Sequence, residues 1–105
     1  MKTIDIGKDF SDAPLGRFKT DGAFSGQRFR EEHLVPALRA SSPVHVRIDH
    51  VEGFGSSFLE EAFGGLVRVE KFPKEELRHK LVIDVDDVAN YDMYRRLIWS
   101  YIDRA

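Results

Sequence analysis

VHVRIDHVEGFGSSFLEEAFGGLV, residues Val44–Val67, runs from strand through a glycine-rich turn into helix. Val44, Val46 and Ile48 alternate with His45, Arg47 and Asp49, the period of a strand covered on one face. Beyond the turn, Phe58, Leu59, Ala62, Phe63, Leu66 and Val67 recur at helical spacing as a wide apolar stripe. The first amides of a helix have no internal acceptors and carry the positive end of its dipole, so Ser56 and Ser57 occupy a natural place for an oxyanion or a phosphate. This junction is the leading functional site in the sequence.

The flanks extend the same alternation. Lys2–Ile6, with Ile4 and Ile6 on one face, suits a short edge strand. Gly7–Gly22 is rich in turn residues, although Gly16–Thr20 can form a second short strand. Ser25 caps a helix in which Phe29, His33, Leu34, Ala37 and Leu38 face inward to about Ala40, with Pro36 bending or shortening it and leaving a distorted last turn. Gly64-Gly65 weakens the helix after the serine turn, and a close approach to the sheet would explain the pair. Phe72-Pro73 opens a break, Lys80–Val85 is a buried strand, and Asp86 or Asp87 caps a last helix with Tyr94, Leu97, Ile98, Tyr101 and Ile102 inward. The expected order is β, an optional second β, then α, β, α, β, α. Such alternation predicts an α/β fold with a mixed, mainly parallel sheet flanked by helices and joined by right-handed crossovers.

A chain of 105 residues suits one domain, residues 1–105. Hydrophobic residues at 42% and charged residues at 32% describe a folding globular chain and exclude long disorder. A net charge of −2, with basic and acidic residues interleaved, gives no footing for nucleic acid. Absent cysteines exclude disulfides and thiolate chemistry. Neither a signal-length apolar run nor a bilayer-length one occurs, so the expectation is a cytoplasmic protein without a membrane role.

Ser57-Phe58-Leu59-Glu60 fits a capping box, in which serine accepts from the amide at Glu60 and the glutamate returns a bond; that alone can account for Ser57. It leaves Ser56 free beside Gly53 and Gly55. A phosphate loop is disfavoured because no Gly-Lys-Ser/Thr follows, and a serine hydrolase because Gly-x-Ser-x-Gly is absent. His33, His45, His50 and His79 lack zinc spacing and are read as surface or boundary groups, with His45 toward solvent. Asp84, Asp86 and Asp87 are read as a helix cap in preference to a cation site, and no cofactor is expected. Arg95, Arg96 and Arg104 suit the second half of the last helix by its dipole.

Gly16-Arg-Phe with Gly22, Ser25-Gly26-x-x-Phe29-Arg30, Val46-x-Ile48-Asp49, and Ser56-Ser57-Phe58-Leu59-Glu60-Glu61-x-Phe63-Gly64 together resemble the STAS-like domains of unknown function, found in bacteria and phage. The resemblance spans roughly Gly16–Val85. It implies a STAS-like fold and a regulatory, non-enzymatic role close to that of anti-sigma factor antagonists. Those proteins carry an Asp-Ser-Ser/Thr-Gly turn whose first serine is phosphorylated by a GHKL-type ATPase, and Ser56 corresponds by position. Here Gly55 replaces the aspartate and Phe58 the glycine, which favours partner docking over phosphorylation. The expected docking surface comprises Ser56 and Ser57 as contacts, Gly55 and Phe58 beside them, Asp49 ordering the turn, and Glu60 and Glu61 as a polar rim. The implied partner is a GHKL-type histidine-kinase-like ATPase. A small ligand or nucleotide at the same helix start is the alternative, and the oligomeric state is left open.

Overall fold

The computed structural model covers residues 1–105. Its elements are β1 (Lys2–Asp5), α1 (26–40), β2 (Val44–Arg47), α2 (56–68), α3 (Lys74–Lys80), β3 (Leu81–Asp84) and α4 (Val88–Arg104). The sheet has the order β1-β2-β3 and both pairings are parallel, in keeping with the mainly parallel α/β sheet expected. Cross-strand partners are Ile4, Val46 and Ile83 in one row and Thr3, His45 and Val82 in the next. Side chains of the first row and of Val44 and Leu81 are buried, whereas Thr3 and Val82 are exposed. The order never reverses, so right-handed crossovers put α1 and α2 on the same face and leave the other face polar and open. The core of 21 residues lies on the covered face, with Phe29, Leu38, Phe58, Phe63, Ile98 and Ile102 fully buried.

Local chemistry explains each boundary. Ser25 begins α1 by accepting from the amide of Arg28 at 3.2 Å. Pro36 neither ends α1 nor distorts its last turn. The helix widens to π-type turns over Arg30–Leu34, where Val35 N–H reaches back to Arg30 O, and the wider turn accommodates the missing proline N–H before α1 resumes to Ala40. Asp87 caps α4 through the amide of Asn90. Ile6 leaves the strand for a single wide turn, Ile6–Phe10.

Three further expectations change. Gly16–Thr20 forms no strand, because Phe18 N–H bonds Asp21 Oδ2 at 2.8 Å and Lys19 N–H bonds Gln27 Oε1 at 3.0 Å, closing a short 3-10 turn over Lys19–Asp21. Gly16 sits at φ 96°, a left-handed position that explains its residue type. The break after Pro73 holds α3, with acidic residues in its first turn and basic ones in its last. In α4, Ile98 and Ile102 are buried and Tyr94 and Tyr101 partly so, but Leu97 is exposed.

Candidate functional site

The serine turn follows the central strand, and four contacts fix it from below. Asp49 Oδ2 accepts from the amides of Asp86 and Asp87 at 2.9 and 2.7 Å, joining the end of β2 to the start of α4. Its other oxygen, Oδ1, is buried without a partner. Val51 is buried and its carbonyl receives the Tyr91 hydroxyl at 2.5 Å. Glu52 N–H donates to Asp12 O at 2.9 Å. Phe54 packs on Phe58 and meets Tyr94 edge-on at ring-centroid distances of 6.0 and 5.2 Å. The side-chain bonds of Asp49 thus go to the loop after β3 and not into the serine turn that it was expected to order.

On this base Gly55, Ser56 and Ser57 are exposed. Gly55 is the N-cap of α2, extended at φ −79° and ψ 147°, and no side chain caps the helix. The capping box expected at Ser57 is not formed. Glu60 bonds Arg17 and Arg68 instead, the latter at 2.6 Å, and a charge-assisted pair with two guanidinium groups outweighs a bond to one backbone amide. Both serines thus stand at the positive end of α2 with their hydroxyls outside any cap.

The other expected surface residues sit elsewhere. Phe58 is fully buried and touches Phe10, Phe29 and Phe54. Glu61 is buried as well, so it is no part of an exposed rim: its Oε2 accepts from Arg30 Nη1 at 2.5 Å, and its backbone carbonyl accepts from the same nitrogen at 2.7 Å. Glu60 is 25% exposed at its side chain and held between its two arginines. Burial pushes the Glu60 carboxyl up, but hydrogen bonds from Arg68 and Arg17 hold it below the usual range, and both guanidinium groups are raised in turn.

Sequence reasoning missed the part played by Arg30, Arg17, Tyr91 and Tyr94. Arg30 is 2% exposed, bonded to Glu61 and, through Nε, to Glu70 at 3.0 Å. A signal was present in Gly64-Gly65. A Cβ on Gly65 would fall on the Arg30 guanidinium, 2.9 Å from Cζ, so the glycine makes room for a buried arginine and not for the sheet. The histidines are distributed as boundary groups: His33 stacks on Phe29, His45 bonds Asp84 at 2.9 Å, His50 bonds Asp5 at 2.6 Å, and His79 is exposed. Asp86 pairs with Arg47, and Arg95 and Arg96 both pair with Asp92. No helix is long and apolar enough to cross a membrane.

No curated protein and no solved structure matches the chain. One family model does, over residues 25–87, from the Ser25 cap of α1 to the Asp87 cap of α4 and across the whole serine turn. With more than half its length so matched, the chain belongs to the family described as the STAS-like domain of unknown function.

Proposed function

We propose that this protein is a regulatory interaction module, not an enzyme, which docks a partner protein through Gly53–Ser57 at the start of α2. The observation that carries this reading is the uncapped, exposed Gly55-Ser56-Ser57 edge on a turn immobilised at Asp49, Val51, Glu52 and Phe54. A rigid turn with free hydroxyls loses little conformational entropy on docking. A phosphate on either serine would sit at a helix start that tolerates negative charge and would block the same edge. The antagonist-like position of Ser56 makes a GHKL-type ATPase the partner of choice.

Affinity capture from the source cell with wild type and with Ser56→Asp/Ser57→Asp, followed by mass spectrometry and phosphosite mapping, tests the reading. Recovery of such an ATPase by the wild type alone is the expected result, and equal recovery by both proteins overturns it. The uncapped first turn of α2 also favours a second reading, an anionic small ligand or nucleotide held by the free amides. Under that reading nucleotides raise the thermal midpoint by mass action, and a flat response removes it.

A further inference from the structure

β1 lies at the edge of the sheet, and the phase of its ladder determines which backbone groups look outward. Lys2 N–H donates to Pro43 O at 3.2 Å, and the register pairs Lys2 with Val44 and Ile4 with Val46. In a parallel ladder of that phase Lys2 and Ile4 turn their N–H and C=O groups toward β2, while Thr3 and Asp5 turn theirs away. Asp9 closes off one of the outward residues, its Oδ2 accepting from Asp5 N–H at 2.8 Å. Thr3 remains exposed, with an outward donor and acceptor.

Those groups face a groove of about 610 Å³ between β1 and α1. Pro36, Ala37 and Ala40 line its helical side with short side chains, beside Glu32 and His33. Asp9 and Glu32 outnumber Lys2 among its charged lining. Glu32 is already paired with Arg28 at 3.1 Å, whereas the Asp9 carboxylate meets a backbone amide and no cation. An open edge beside a helix offers main-chain hydrogen bonds for affinity and side-chain contacts for selectivity.

We propose that this groove takes an extended segment of a partner protein as an added strand on β1, with a lysine or arginine of that segment against Asp9. The groove runs along the amino-terminal half of β1, away from the serine turn that follows β2, so the two surfaces can be occupied together. The probe is a displayed library of random linear peptides selected on the immobilised protein, with counter-selection on Thr3→Pro. That substitution removes the outward N–H, together with the threonine side chain, and leaves the bonds from Lys2 and Ile4 to β2 in place; proline is tolerated on an edge strand.

Enriched peptides should share a basic residue at a fixed place in a β-prone run and bind Thr3→Pro about tenfold more weakly, the scale of one lost hydrogen bond. Asp9→Asn keeps an acceptor for Asp5 N–H, so it should retain binding but lose the preference for the basic residue. Should Thr3→Pro fail to fold, Ala40→Tyr on the exposed last turn of α1 fills the groove without touching the ladder and should cause the same loss. The proposal is overturned if no peptide is enriched over the counter-selection or if the enriched peptides lack a basic residue. Light scattering that shows a dimer broken by Thr3→Pro also overturns it, by making a second copy of this chain the occupant.

Discussion

Arg30 shows how one residue can organise a small α/β core. Its guanidinium is out of water, so its charge must be matched by Glu61 and Glu70, and Arg30 in turn is the nearest of the three guanidinium groups around the buried Glu61, with Arg17 and Arg68 at 3.4 and 3.5 Å. Arg30→Ala should cost about 3–5 kcal/mol in urea unfolding, since it removes the partner of the buried Glu61 Oε2 and of the Glu61 carbonyl. An Arg30→Met/Glu61→Leu double variant, which removes both charges, should recover most of that loss. Glu60 belongs to the same network and predicts a pH signature. Its folded-state carboxyl is depressed, so its contribution is fully present above the unfolded glutamate value and is lost as pH falls through the folded one. Glu60→Gln should therefore unfold at lower urea than wild type at neutral pH, with the gap closing in acid below about pH 4; a gap that persists there would remove the ionic explanation. At this scale the caps at Ser25 and Asp87 were legible because an Asx or serine cap is a local event within three residues. The pairing of Glu60 was not, because Arg17 comes from a loop 43 residues away.

At the scale of elements, the contact between α1 and α2 depends on residues without side chains. A Cβ on Gly26 would stand 2.5 Å from the Phe58 carbonyl, a backbone atom that cannot move without parting the helices. On Gly65 it would meet the buried Arg30, but on Gly64 its nearest neighbour is Glu60 Oε2 at 2.7 Å, the far end of a side chain that can swing. Gly26→Ala and Gly65→Ala should each lower stability by about 1–3 kcal/mol through overpacking. Gly64→Ala should change it by less than about 1 kcal/mol, because helix propensity works in its favour. Equal losses at Gly64 and Gly65 in thermal unfolding would contradict this account. The glycine pair was visible in the sequence, but its partner was not, since periodicity names the face of a helix and not what lies against it. The same limit hid α3: with Leu77 its only buried residue, it has no apolar stripe to detect. Pro36 was read through the geometry of an α-helix, whereas the turns over Arg30–Leu34 that precede it are wider.

The whole molecule follows from the strand order. Alternating strands and helices were enough to expect an α/β fold. Burial of Ile4, Val44, Val46, Leu81 and Ile83 against exposure of Thr3 and Val82 then shows a sheet covered on one face. Pattern alone does not order the strands, and β1-β2-β3 makes a specific claim about backbone protection. β2 is the only strand with neighbours on both sides: His45 and Arg47 turn their amides to β1, and Val44 and Val46 turn theirs to β3. Native-state hydrogen exchange should find these four amides among the slowest, opening only when the sheet separates. Thr3 on one edge and Ile83 on the other point their amides away from the sheet, so each should exchange faster than its neighbours Ile4 and Asp84. Protection of Thr3 equal to that of Ile4 in the isolated protein would mean that β1 is not an edge. The order, the open groove beside α1 and the strand-addition proposal would then fail together, while the serine turn, fixed by α4 and the loop after β3, would stand unchanged.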